Sequence, residues 1–126
     1  MRAGREHQWS ALCHLCNAVP VWGMLFAGAI WFHLREESRE VVGHARQAIL
    51  FHGILLMVAL VYMIVGFLSK ILQFISAALG QTIDRMNDVI FYGLLAAYIG
   101  ICLYGAVQCL HGLAFRYPLI RKHDGE

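Results

Sequence analysis

Charged and uncharged residues are segregated along this chain. No Lys, Arg, Asp or Glu occurs from His7 to Leu34, from Gln47 to Ser69, or from Val89 to Phe115. Each stretch exceeds the roughly 20 residues that a helix needs to cross a hydrocarbon layer of about 30 Å. The pattern predicts an all-α integral membrane protein with three transmembrane helices at about 9–34, 47–69 and 89–115, in one membrane domain over 1–126. A different pattern separates the second and third spans. Ile71, Leu72, Phe74, Ile75, Ala78 and Leu79 recur at helical spacing, with Lys70, Gln73, Ser76, Gly80 and Gln81 between them. This predicts an amphipathic connector over 70–83 that lies on the membrane surface or continues the second helix outward.

Punctuation within the segments refines the picture. Trp9 and Trp31 lie about 33 Å apart on a continuous helix, and indole rings favour the headgroup level, so they are expected to anchor opposite faces. Pro20 should kink that helix, with Asn17 satisfying a freed backbone group. Ser38 is a natural N-cap for a helix from about Arg39 to Phe67, with Glu40 near the positive end of its dipole. Gly80 is the expected break in the connector, and Asn87 or Asp84 the expected cap of the third span. Tyr92, Arg116 and Tyr117 bracket that span as interfacial anchors. Gly93, Ala96, Ala97 and Gly100 share one face, where helices in lipid can approach closely. Packing within the protein is the expected use, with a second copy or a foreign subunit as the alternative.

Composition narrows the function classes. Of 126 residues 60% are hydrophobic and 14% charged, which leaves no room for a soluble domain beside the spans. The net charge of +2 comes from basic residues scattered over every loop, so nucleic acid is not an expected partner. Other integral membrane subunits and lipids are. Arg35, Arg39, Arg46, Arg116, Arg121 and Lys122 outnumber Arg2, Arg5, Lys70 and Arg85 on the opposite set of loops. With three crossings this favours a cytoplasmic C-terminus, in a bacterial inner membrane or one derived from it. A first run that folded back at Pro20 would undo the argument. Arg2 and Arg5 before an apolar run resemble a secretion signal, but the run continues to Leu34 and is read as retained.

Candidate chemistry is sparse. Cys13 and Cys16 form a CxxC pair of the kind that binds zinc or cycles in redox reactions. Zinc would need two further ligands at the same depth. Counting along straight spans puts Cys109 and His111 near the opposite face, so no metal site is expected and the pair reads as packing. His52 and His111 each enter roughly one turn below the surface that also carries His33 and His44. Two facing imidazoles there could ligate a haem, although interfacial hydrogen bonding is the simpler reading and no cofactor is expected. No acidic residue lies within the three expected spans, and no nucleophile triad, HExxH arrangement or phosphate-binding loop occurs. An enzyme is not expected.

Three short motifs carry a family likeness: Trp9-Ser10-Ala11-Leu12-Cys13-His14-Leu15, His44-Ala45-Arg46-Gln47-Ala48-Ile49-Leu50-Phe51 and Gly112-Leu113-Ala114-Phe115-Arg116-Tyr117-Pro118-Leu119. With them the chain resembles a family of small bacterial inner-membrane proteins of unknown function, distantly similar to the plastid import component Tic-twenty, with some relatives in magnetosome membranes. The likeness runs from about Gln8 to Ile120. It implies a membrane-embedded helical domain without an established enzyme activity. The expected function is a non-catalytic accessory or stabilising subunit of a larger membrane complex. A translocation component or small homo-oligomeric channel is the alternative, and a haem- or metal-binding subunit the second.

Overall fold

The computed structural model describes residues 3–19, 22–113 and 115–117. They form four helices: α1 (Ala3–Asn17), α2 (Gly23–Leu34), α3 (Arg39–Ile75) and α4 (Ala77–Leu110). Among the described residues two helices, α3 and α4, are long and apolar enough to cross a membrane, and α2 is a shorter apolar helix. Three transmembrane helices are therefore not what the fold presents. The helices fall into two compact units, Met1–Gly53 with Tyr98–Glu126, and Ile54–Ala97.

In the first unit, the first charge-free run is not one helix. The end of α1 tightens, with the Ala18 N–H donating to the Leu15 carbonyl (3.1 Å) and the Val19 N–H to that of Cys16 (3.0 Å). Such three-residue bonds close a helix rather than continue it. The kink expected at Pro20 lies outside the described residues. The chain then folds back, so that Trp9 and Leu12 of α1 line one cavity with His33 and Leu34 of α2. Gly23 makes the reversal possible, since a Cβ there would lie 2.5 Å from the Cys16 carbonyl oxygen.

The stripe Gly23, Ala27, Ile30 and Leu34 on α2 is buried. Its last three residues pack with Cys13, Val41, Ala45 and Ala48, and Trp9 lies against the same cluster. The tryptophans are thus not anchors at opposite faces: Trp9 is part-buried in packing and Trp31 is exposed. Folding back also removes the odd number of crossings on which the orientation argument rested.

Ser38 caps α3 as its sequence position suggests, its Oγ accepting from the Val41 N–H (3.4 Å) and donating to a Glu6 carboxylate oxygen (2.6 Å). The helix then runs past the expected Phe67 to Ile75. At its other end α4 closes in a Schellman motif. Gly112 has φ +72°. Its N–H donates to the Cys109 carbonyl and that of Leu113 to the Gln108 carbonyl, both at 3.0 Å. Phe115 follows and rests against Gly105, where a Cβ would lie 2.6 Å from its ring.

The second unit is an antiparallel hairpin of α3 and α4. The run over 70–83 is not one connector: its first half continues α3 outward to Ile75, one of the two arrangements expected of it, and its second half begins α4. The break falls at Ser76 rather than Gly80, and Ser76 Oγ accepts from the Leu79 N–H (3.5 Å) as the cap of α4. Gly80 is instead the point of closest approach, where a Cβ would meet Gln73 at 2.4 Å and the Ser69 carbonyl at 2.8 Å. Asp84 and Asn87, expected as caps, bond across the hairpin. Asp84 accepts from Ser69 Oγ (3.0 Å) and pairs with Lys70. Asn87 Nδ2 donates to the Tyr62 carbonyl (3.0 Å), and the Tyr62 hydroxyl donates to Asp88 (2.8 Å).

Candidate functional site

Polar residues recur at helical intervals on the inner faces of the first unit. Ser10, His14 and Asn17 on α1 follow steps of four and three, which return to one side of a helix. Tyr98, Cys102 and Cys109 on α4, at steps of four and seven, likewise share a side, and all six are buried. His44 and His52 come from α3, with His44 half-buried and His52 fully so. Tyr117, which follows the α4 cap, is 0% exposed.

These side chains form a connected network. The His14 Nδ1 atom lies 2.7 Å from the Tyr117 hydroxyl, and His14 Nε2 lies 3.0 Å from His44 Nδ1. The Tyr117 hydroxyl makes a long contact to Cys102 Sγ (3.9 Å), as does Asn17 Nδ2 (3.9 Å). The Tyr98 hydroxyl donates to the Asn17 carbonyl (3.0 Å) and lies 3.0 Å from His52 Nδ1. A hydroxyl has one proton to give. With the Tyr98 proton on Asn17, His52 must donate from Nδ1. With the Tyr117 proton on Cys102, His14 also donates from Nδ1, which leaves the His14 Nε2 lone pair directed at His44.

Cys109 Sγ approaches the same His44 Nδ1 atom at 3.9 Å. The three donor atoms of His14, His44 and Cys109 lie within 4.8 Å of one another, the one group of this kind among the described residues. Burial, and then the charge of the neighbouring His44, push the His14 imidazole down to about 3, so it is neutral near pH 7. Aromatic rings wall the network. Phe51 stacks on Tyr117 at 4.0 Å and on Tyr98 at 4.9 Å, and Phe115 meets the His14 ring edge-on at 5.2 Å.

The residues singled out in the sequence are distributed differently from expectation. His52 is buried and turned to Tyr98, whereas His111 is exposed and bonds back to the Val107 carbonyl (2.8 Å). Their accounted nitrogens thus face different partners. Tyr117 is no interfacial anchor, because it is the centre of the buried network; Arg116 and Tyr92 are exposed. Gly93, Ala96, Ala97 and Gly100 are all exposed, so internal packing is not what that row serves. Cys109 was separated from the Cys13 region by helix counting, yet it reaches the ring of His14. The fold-back of α1 is the reason. The signal in the sequence was the polar stripe itself, Ser10, His14 and Asn17 within an uncharged run.

The three sequence motifs converge here: one supplies His14, the second His44 and Phe51, the third Phe115 and Tyr117. The model of the magnetosome magnetite crystal formation protein family matches residues 5–123. The chain belongs to that family. Family membership therefore covers both units and every member of the network. No curated protein and no solved structure matches the chain, and no link to the plastid import component is found.

Proposed function

We propose that this member of the magnetosome magnetite crystal formation family is a non-catalytic accessory subunit of a larger complex, in a bacterial inner membrane or a membrane derived from it. The family description supplies the setting, a membrane at which magnetite forms. The observation that carries the reading is the exposed row of small residues Gly93, Ala96, Ala97 and Gly100 on α4, set in an apolar outward surface. Met57, Met63, Phe67, Val89 and Ile90 are all more than half exposed. In lipid such surfaces gain little by clustering for their apolarity alone, since the tails are equally apolar; association follows close packing and polar contacts. The exposed row from Gly93 to Gly100 on α4 suits that close packing with other integral membrane subunits.

A gentle-detergent pull-down of the tagged chain from its own membranes tests this, with stoichiometry by mass spectrometry. A partner set at fixed ratio is the expected result. Recovery of a monodisperse monomer would overturn the reading, and recovery as a homo-oligomer would transfer it to the channel alternative.

A further inference from the structure

From the convergence of His14, His44 and Cys109 we infer a metal site for one borderline-soft divalent ion of the zinc type, held by two imidazole nitrogens and one thiolate. This inference does not rest on the accessory-subunit reading. Its warrant is geometric. A tetrahedral ion with nitrogen ligands near 2.0–2.1 Å and sulfur near 2.3 Å sets its nitrogens about 3.3 Å apart and nitrogen from sulfur about 3.6 Å. His14 Nε2 and His44 Nδ1 stand 3.0 Å apart, and His44 Nδ1 and Cys109 Sγ 3.9 Å. These two edges are each within roughly 0.3 Å of the ideal, and the third, between His14 and Cys109, lies within 4.8 Å and closes as the ion draws the donors together.

The surroundings are those a ligating histidine needs. Metal-bound imidazole usually donates its other N–H to an oxygen acceptor, which fixes both tautomer and ring orientation. His14 has that partner in the Tyr117 hydroxyl at 2.7 Å, and its ring is held edge-on by Phe115. The Cys109 thiolate offsets one of the two positive charges of the ion. His44 is only half-buried, so the site is not fully enclosed. Imidazole with thiolate selects zinc-like ions over magnesium, calcium or manganese, which prefer oxygen.

Binding balances simply. Cys109 gives up its thiol proton to solvent and its sulfur binds the ion. His44 moves its proton from Nδ1 to Nε2, and His14 keeps its own on Nδ1. One proton is released per ion, and nothing is oxidised.

Cobalt(II) titration of the purified full chain in detergent tests the site, since cobalt replaces zinc and is coloured in a thiolate-containing tetrahedral site. We expect saturation at one equivalent, with ligand-field bands and a thiolate-to-cobalt charge-transfer band that zinc then abolishes. Cys109→Ser should remove the charge-transfer band, while Cys16→Ser should leave it. Tyr117→Phe removes only the outer partner of His14 and should weaken binding about 10–100-fold. Helix content and monodispersity of each variant separate lost binding from lost fold. X-ray absorption on the zinc-loaded wild type gives a readout that needs no variant, with one sulfur and two imidazoles expected. No saturable cobalt spectrum in the wild type would overturn the proposal. So would a spectrum that survives Cys109→Ser and disappears in Cys16→Ser.

Discussion

Helix α3 passes through both units, and its two parts obey opposite rules. In the first unit Val41, Ala45, Ala48, Phe51 and His52 are buried, and polar side chains are turned inward and bonded to one another. In the second unit Met57, Val61, Met63 and Phe67 are exposed, and the hairpin is crossed by a short ladder of polar contacts, the stacked rings of Tyr62 and Phe91 (4.2 Å) and a close approach at Gly80. The first unit has the inside of a globular domain. The hairpin has the inside-out character of a membrane helix pair, in which apolar residues face lipid and packing or polar contacts hold the pair together. Apolar content alone therefore does not say which side of a helix matters.

The sharpest way to break this contrast is to remove one phenylalanine from each part of α3. Phe51→Ala takes away a ring stacked on both Tyr98 and Tyr117 and should cost up to about 3–5 kcal/mol. Phe67→Ala, at a position 68% exposed, should change stability by less than about 0.5 kcal/mol. Thermal unfolding in a fixed detergent measures both, and equal losses would erase the distinction.

A second pair acts within α4. Gly80→Ala drives a Cβ into Gln73 and the Ser69 carbonyl and should destabilise the hairpin by about 1–3 kcal/mol. Gly93→Ala meets nothing within 4 Å and should stabilise the helix by up to about 1 kcal/mol. The same substitution should thus change sign over little more than three turns.

Smaller effects sharpen the picture further. Gly112→Ala places a side chain at φ +72°, with its Cβ 3.0 Å from the His7 ring. It should cost on the order of 1–2 kcal/mol and loosen Tyr117, seen as faster amide exchange around His14 than around Tyr62. Lys70→Ala, which breaks an exposed ion pair, should leave the unfolding midpoint unchanged and lower the salt dependence of hairpin opening.

Particular residues show how much was legible beforehand. The cap at Ser38 was readable because it depends on a side chain and a backbone N–H three positions away. The long apolar helices were readable because length and lack of charge are local properties. The amphipathic run after Lys70 was seen, but not that a reversal at Ser76 would split it between two helices. The cross-hairpin partners of Asp84 and Asn87 followed from that reversal. Of the site, all three motifs were noticed and His14, His44 and Tyr117 lay within them. Their convergence was not, because His14 and Tyr117 are 103 residues apart and meet only after the fold-back before Gly23, the reversal at Ser76 and the turn at Gly112.

The sequence by itself determined an all-helical, apolar chain and its family; it predicted three spans, of which two, α3 and α4, are helices long and apolar enough to cross a membrane. Hydropathy and helical periodicity act over tens of residues, so they are written along the chain. The tertiary structure decided that the first apolar run turns back at Gly23, that Tyr117 is interior rather than interfacial, and that His14, His44 and Cys109 face one another. These outcomes depend on close approach at single positions and on hydrogen bonds between distant segments, which no local pattern records.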